Sequence, residues 1–201
     1  MTWIKTISFA DATGKLKQTY KRVVGPNGHI DNILASHSLR PHTLEGHMRL
    51  YKNVLHHNAN QLDKSLLEAI GVYVSLLNSC DYCVEHHYQG YSRLIKDDSR
   101  AKRVMKAMQE ENLESVFDIK EMSLFDYAKK LTSAPSSLTQ ADIEKMKSQG
   151  FDDGDVLEVN QVIAYFNYAN RTVLGLGVEI EKENIGLSPN DNDDSENWGH
   201  S

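Results

Sequence analysis

Residues 62–77 form the most apolar stretch of the chain, and no charged residue follows Glu68 within it. A helix with apolar side chains on nearly every face has to be covered by other elements, so this stretch predicts a buried helix. Its valines and Tyr73 would also suit a strand, but no second strand candidate accompanies it. We therefore expect an all-α fold.

Helical periodicity and helix-capping residues predict further helices along the rest of the chain. They span residues 15–24, 41–57, 80–95, 100–111, 123–132, 139–149 and 155–174. A short segment at 30–36 precedes Pro41, which suits the first turn of a helix. Residues 66–69 and 156–159 also resemble each other, so we expect a weak internal two-fold repeat.

The chain has 201 residues, which is enough to bury a sizeable core without disulfides. Its net charge of −6 is uneven, because six acidic residues and one lysine lie between Glu181 and the C-terminal end. This distribution predicts one helical domain over 1–184 and an acidic, disordered tail over 185–201. The nearly neutral body lacks the basic face of nucleic-acid-binding proteins, so no nucleic-acid partner is expected.

The chain contains no stretch close to the roughly 20 apolar residues that a membrane span needs, so no membrane partner is expected. The first residues lack the apolar segment of a secretory signal, and two cysteines are too few for a disulfide scaffold. A cytoplasmic location is therefore expected. In a reducing compartment the Cys-X-X-Cys motif of Cys80 and Cys83 is more often redox-active or metal-binding than structural.

On a helix, the side chains of Cys80, Cys83 and His87 fall within an arc of about 60°. Thiols one turn apart can form a disulfide with modest strain. His87 can take the proton of Cys83, and both an imidazolium and a helix N-terminus lower the pKa of a thiol. The arrangement predicts an activated thiol at Cys83 and a resolving thiol at Cys80.

Glu68 places a carboxylate within an apolar helix, where an unpaired charge would be costly. If this helix packs against the one that follows, Glu68 can reach His87 directly or through a water molecule. Such a contact would orient the imidazole and tune its basicity, as a general-base relay requires.

Glu68 lies twelve positions before the Cys-X-X-Cys motif, and His87 lies four positions after it. This constellation resembles the AhpD-like alkylhydroperoxidase and carboxymuconolactone decarboxylase superfamily. The wider chain resembles the peroxidase-related branch of this superfamily over about residues 3–181. The segments that carry this resemblance are 3–4, 37–41, 167–171 and 177–179.

The resemblance implies an all-helical AhpD-like fold that assembles as homo-oligomers. It implies that Cys83 reduces a peroxide substrate, that Cys80 closes a disulfide, and that an external dithiol reductant reopens it. Glu68 and His87 would form the proton relay, and no cofactor or metal would be needed. Tyr82 stands where members of the superfamily often carry a histidine, so the chain departs from the family relay at this position.

Several other interpretations stay open on the residues alone. The two cysteines can be buried without chemistry, or the four residues of the constellation can bind zinc, although the second Cys/His cluster usual for structural zinc is missing. A non-enzymatic redox sensor and a carboxymuconolactone decarboxylase-like enzyme are the alternative functions. His86 lies further around the helix than His87 and is assigned no role. The remaining histidines are expected at the surface, in the core or at helix ends: His29, His37, His42, His47, His56 and His57.

Overall fold

The computed structural model of the protein describes residues 2–25, 28–183, 185–189, 194 and 196–199. These residues form nine α-helices and no β-strand, which confirms the predicted all-α fold. In chain order the helices are α1 (Gly14–Val23), α2 (Asn32–Ser36), α3 (Pro41–Leu55), α4 (Lys64–Leu77), α5 (Asp81–Ile95), α6 (Asp98–Gln109), α7 (Ile119–Ser133), α8 (Gln140–Ser148) and α9 (Asp153–Leu176). Short turns of 3-10 helix follow α6 at Leu113–Ser115 and α7 at Pro135–Ser137. Among the described residues, no helix combines the length and the apolar character needed to cross a membrane.

The largest difference from the predicted helix boundaries lies at the start of α7. This helix begins at Ile119 rather than at residue 123, because Asp118 and Glu121 form a capping box. The Asp118 side chain accepts a hydrogen bond from the Glu121 amide, and the Glu121 side chain accepts one from the Asp118 amide. These reciprocal bonds satisfy amides that have no partner within the helix, so the additional turn is stable.

Helix α4 lies at the centre of the helical bundle, as its apolar sequence predicts. It packs against α5, α7 and α9, and Leu67 and Ile70 are 1% and 0% exposed. Gly71 lets α9 approach closely, because a Cβ at this position would lie 2.1 Å from the ring of Phe166. The segments of the expected repeat lie on α4 and α9, and the repeat itself stays a prediction.

A tight turn joins α4 to α5 and brings the two helices side by side. Ser79 has a left-handed backbone conformation, with a φ of 54°. The amide of Cys80 donates a hydrogen bond to the carbonyl oxygen of Ser75 at 2.9 Å. The chain therefore reverses within a few residues, Cys80 becomes the N-cap of α5, and α5 packs along α4.

The chain beyond α9 contacts the helical body. Trp198 is 1% exposed, and Glu181 is also buried. The expected disordered tail over 185–201 falls partly on residues 190–193, 195 and 200–201, which lie outside the described residues. The domain boundary at residue 184 stays a prediction.

Candidate active site

Cys80 and Cys83 lie at the start of α5 and contact each other. Their Sγ atoms are 3.2 Å apart, which is a hydrogen-bond distance for two thiols. A disulfide bond is about 2.05 Å long, so a movement of roughly 1 Å would be enough to form one. Both cysteines are free, with exposures of 0% for Cys80 and 3% for Cys83. The structure thus brings the two predicted thiols together in their reduced state.

The two thiols differ in their affinity for a proton. The hydrogen bond between the two thiols lowers the pKa of Cys80, and a hydrogen bond with the Cys83 backbone lowers it further. The hydrogen bond with Cys80 raises the pKa of Cys83 well above its ordinary value, and burial raises it further. The contact between the two sulfur atoms is the largest cause in both cases, and it shifts the two pKa values in opposite directions. The expected lowered pKa of Cys83 is therefore wrong, and Cys80 is the thiol that loses its proton more readily.

Glu68 from α4 and His87 from α5 form a buried hydrogen-bonded pair. Nδ1 of His87 lies 2.8 Å from Oε2 of Glu68, and Glu68 is 2% exposed. Burial raises the pKa of Glu68, but the charge and the hydrogen bond of His87 outweigh burial, so the pKa is lowered. When Nδ1 donates a hydrogen bond to the carboxylate and keeps its proton, Nε2 is the nitrogen that can exchange protons with other groups. The predicted contact is confirmed, and its role as a relay stays a prediction.

Cys83 and the Glu68–His87 pair line the same small cavity. The cavity has a volume of about 40 Å³, which gives room for roughly three molecules the size of water. His86 and Tyr165 form further parts of its wall. A small molecule in this cavity therefore lies beside a thiol and a carboxylate-bound imidazole.

Cys80 lies on the other side of the thiol pair, at a surface groove. This groove has a volume of about 400 Å³ and is lined in part by Trp3, Val173 and Leu174. Trp3 is 80% exposed. The two cysteines, although in contact, thus line two different spaces.

A second buried network, centred on Glu181, borders the cavity and is absent from the sequence predictions. Oε2 of Glu181 lies 2.7 Å from Nε2 of His86, and Oε1 accepts a hydrogen bond from the Tyr82 hydroxyl at 2.8 Å. The backbone amide of Asn32 also donates to Oε1. Burial raises the pKa of Glu181, but the hydrogen bond and the charge of His86 outweigh it, so the pKa is lowered. Tyr82, which departs from the family pattern, thus binds Glu181.

A cation site is the other arrangement that these residues suggest. A metal ion needs at least three ligand atoms close together. Among the described residues, the His, Cys, Asp and Glu side chains that meet this condition, with ligand atoms within 4.8 Å of one another, are His29, Asp31 and Glu181. Both carboxylate oxygens of Glu181 already take part in the hydrogen bonds to Tyr82 and His86. The four residues of the alternative zinc site do not form such a group.

Comparisons with known proteins find similarity at the level of structure. No family model matches the chain, and no curated protein matches it. An uncharacterized peroxidase-related protein from Silicibacter sp. TM1040 has a TM-score of 0.77 and 24% sequence identity, covering 90% of this chain and 92% of that chain. An AhpD-core, uncharacterized peroxidase-related protein from Ralstonia eutropha JMP134 has a TM-score of 0.75 and 20% identity, covering 90% and 93%. The debrominase Bmp8 in its apo form has a TM-score of 0.69 and 18% identity, covering 88% and 91%. The chain therefore has the predicted AhpD-like fold.

Proposed function

We propose that this chain, with its AhpD-like fold, is a thiol-dependent peroxidase in which Cys83 attacks a hydroperoxide and Cys80 resolves the product. One observation carries the proposal: the Cys83 thiol and the His87–Glu68 pair share a cavity, and the Cys80 thiol lies 3.2 Å from Cys83. This arrangement supplies a nucleophile, a proton carrier and a second thiol within one buried site.

Cys83 has to lose its proton before it can react, because the thiolate is the nucleophile. Cys80 loses its proton more readily than Cys83, so a Cys80 thiolate that accepts the proton of Cys83 across their 3.2 Å contact produces the Cys83 thiolate. His87 is a second acceptor for this proton, and the Glu68 carboxylate stabilises the imidazolium that results.

The Cys83 thiolate attacks one oxygen of the hydroperoxide, and the O–O bond breaks. Cys83 becomes a sulfenic acid, and the other oxygen leaves as an alkoxide or hydroxide that takes up a proton from whichever group accepted the Cys83 proton, the His87 imidazolium or the Cys80 thiol. Cys80 then attacks the sulfenic sulfur, which forms the disulfide and releases water. Two thiols are oxidised, and the hydroperoxide is reduced to an alcohol and water.

An external dithiol would reduce the disulfide by thiol–disulfide exchange. Cys80 lines the surface groove but is 0% exposed, so we propose that the groove wall moves when such a dithiol reaches its sulfur from outside. A reducing compartment such as the cytoplasm would keep the reductant in its active form. The proposal thus includes a reductant, which is defined by its chemistry as a dithiol that reduces the Cys80–Cys83 disulfide.

We also propose that the protein forms a homo-oligomer. Large apolar side chains are exposed on its surface, and they include Trp3, Ile119 and Leu157. Such side chains are often covered when copies of a chain associate. Light scattering after size-exclusion chromatography would give a mass that is a multiple of 22.7 kDa, whereas a monomer mass would contradict this part of the proposal.

Sulfenic acid trapping tests which sulfur attacks. The Cys80→Ser variant should accumulate a sulfenic acid on Cys83, because no second thiol can resolve it. Treatment with hydrogen peroxide and dimedone, followed by peptide mass spectrometry, should therefore show the adduct on Cys83. The matched Cys83→Ser variant should form little adduct on Cys80. An adduct mainly on Cys80 would reverse the two roles, and the absence of an adduct in both variants would contradict the peroxidase.

The Cys83→Ser variant also distinguishes the proposed peroxidase from the two alternative functions, a redox sensor and a decarboxylase-like enzyme. A peroxidase would lose turnover with a dithiol and a peroxide. A redox sensor would instead lose an oxidation-dependent change in assembly, and a decarboxylase-like enzyme would keep its carbon–carbon chemistry. Measuring peroxide consumption and oligomeric mass on the same samples distinguishes these outcomes.

A further inference from the structure

Residues 186–188 line the cavity that Cys83 also lines, and we propose that they form a covering segment that restricts the substrate to hydroperoxides about the size of hydrogen peroxide. Its three residues form part of the cavity wall. This role of the segment rests on the proposed peroxidase function. Larger hydroperoxides would react with Cys83 only when the segment is displaced.

Gly186 fixes the covering segment to α5. Its amide donates a hydrogen bond to Nδ1 of His86 at 3.3 Å, and its carbonyl oxygen accepts one from Arg93. Its φ is 78°, and a Cβ at this position would lie 2.5 Å from Cβ of Gln89 and 2.9 Å from the carbonyl oxygen of His86. Only a glycine allows the segment to lie this close to the helix.

Contacts on both sides of Gly186 hold the segment in place. Glu181, a few residues before it, is bound by His86 and Tyr82. Leu187, directly after it, lies against Gly25, where a Cβ would be 3.0 Å from the Leu187 side chain. The covering segment therefore contacts both α5 and the chain that follows α1.

Residues 196–199, which lie further along the chain than the covering segment, also contact the helical body. The guanidinium of Arg22 lies 3.5 Å from the centre of the Trp198 ring. Glu196 pairs with Arg22 at 2.7 Å and with Arg49 at 3.0 Å. These contacts join the described residues 196–199 to α1 and α3.

The size of the cavity decides which hydroperoxides fit beneath this cover. The cavity of about 40 Å³ leaves Cys83 only 3% exposed. One water needs roughly 10–15 Å³ of such space, so hydrogen peroxide, which is about as large as two waters, fits. Cumene hydroperoxide carries an aromatic ring and is several times too large.

The test compares hydrogen peroxide with cumene hydroperoxide on the full chain. We expect the wild-type thiols to react with hydrogen peroxide at least about tenfold faster, because the cover excludes the larger reagent. The Gly186→Ala variant, whose Cβ would overlap Gln89 and the His86 carbonyl, should displace the segment. The ratio of its rate with cumene hydroperoxide to its rate with hydrogen peroxide should rise by about tenfold.

Gly150→Ala is the matched control for this variant. Gly150 also has a positive φ, of 90°, but no atom lies within 4 Å of an added Cβ. The control therefore introduces a similar backbone strain away from the cavity, and both of its rates should stay at the wild-type values. Leu187→Ala, which shortens a side chain of the cavity wall, is a second variant that should favour cumene hydroperoxide.

Alkylation of Cys83 tests the cover without any peroxide. In a Cys80→Ser background, iodoacetamide should react with Cys83 much faster than a fluorescein maleimide, and Gly186→Ala should reduce this difference. Equal rates with both peroxides in the wild type would overturn the role of the segment. So would unchanged rates with cumene hydroperoxide and fluorescein maleimide in both Gly186→Ala and Leu187→Ala. If neither peroxide reacts faster than free cysteine, the proposed function fails, and the alkylation ratio still decides whether the segment covers the thiol.

Discussion

Cys83 and Cys80 are in contact at 3.2 Å, yet Cys83 borders a small cavity and Cys80 borders a surface groove. A small molecule in the cavity would lie beside Cys83, whereas a reagent in the groove would approach Cys80, which is 0% exposed until the groove wall moves. A cycle of peroxide reduction followed by dithiol exchange needs both encounters, because oxidation and re-reduction involve different partners. The geometry of the pair thus agrees with the order of steps that we propose.

The first prediction concerns the titration of the two thiols. Replacing Cys83 with Ala removes the hydrogen bond that lowers the pKa of Cys80, so this pKa should rise. Replacing Cys80 with Ala removes the neighbour that raises the pKa of Cys83, so that pKa should fall toward its ordinary value. Ultraviolet absorbance of the thiolate as a function of pH measures both. A higher pKa for Cys83 in Cys80→Ala would contradict the assigned direction.

The second prediction concerns Glu68 as the residue that positions His87. Glu68→Gln should lower the rate of thiol oxidation by hydrogen peroxide by about tenfold to hundredfold, in the range expected for a proton-transfer group. Glu68→Asp keeps a carboxylate, so its rate should be higher than that of Glu68→Gln. A purely structural role for Glu68 would not predict this partial recovery of the rate.

Glu181→Gln is the matched control, because Glu181 is also a buried glutamate that binds a histidine. Its rate with hydrogen peroxide should stay within about threefold of the wild-type rate, since Glu181 contacts neither thiol in the proposed chemistry. Equal losses in Glu68→Gln and Glu181→Gln would show that the Glu68–His87 pair has no special role.

The third prediction follows from the lowered pKa of Glu68. Its ordinary value is 4.5, and its value in the folded protein is lower. The ionised carboxylate therefore stabilises the fold above about pH 4.5, and this contribution is lost as the pH falls through the folded pKa. Urea unfolding across this range should show that the stability difference between wild type and Glu68→Gln decreases with decreasing pH. A difference that is independent of pH would contradict the pKa shift.

The fourth prediction concerns the close approach of α4 and α9. Gly71→Ala should lower the free energy of unfolding by about 1–3 kcal/mol, because its Cβ overlaps the buried ring of Phe166. Gly46→Ala in α3, where no atom lies within 4 Å of the added Cβ, should instead raise it by about 0.5–1 kcal/mol. Thermal and urea unfolding measure both changes. A neutral Gly71→Ala would show that Phe166 moves aside at little cost.

The sequence predicts the parts of the site that depend on short distances along the chain. Glu68 and His87 lie on consecutive helices, and the cost of burying a lone carboxylate makes their contact a reasonable inference. The pKa order of the thiols depends instead on how the two sulfur atoms contact each other and on their burial, which a helical pattern does not show. The spacing therefore predicts where the thiols lie but not which of them loses its proton more readily.

The Glu181 network and the covering segment could not be predicted in the same way. Glu181 and His86 are 95 positions apart, and the acidic residues around Glu181 have the composition of a solvated tail. Only the path of the chain after α9 shows that this carboxylate is buried. The local composition is typical of a solvated segment, whereas the burial of Glu181 depends on partners far away in the sequence.

Stopped-flow measurement of thiols and peroxide tests the central claim most directly. The fully reduced protein is mixed with one equivalent of hydrogen peroxide, and both free thiols and peroxide are followed in the same reaction. We predict that both cysteines are lost for each peroxide consumed, faster than free cysteine reacts, and that the reaction disappears in Cys83→Ser. Thiol loss no faster than that of free cysteine, or equal loss in Cys83→Ser, would contradict the proposed peroxidase.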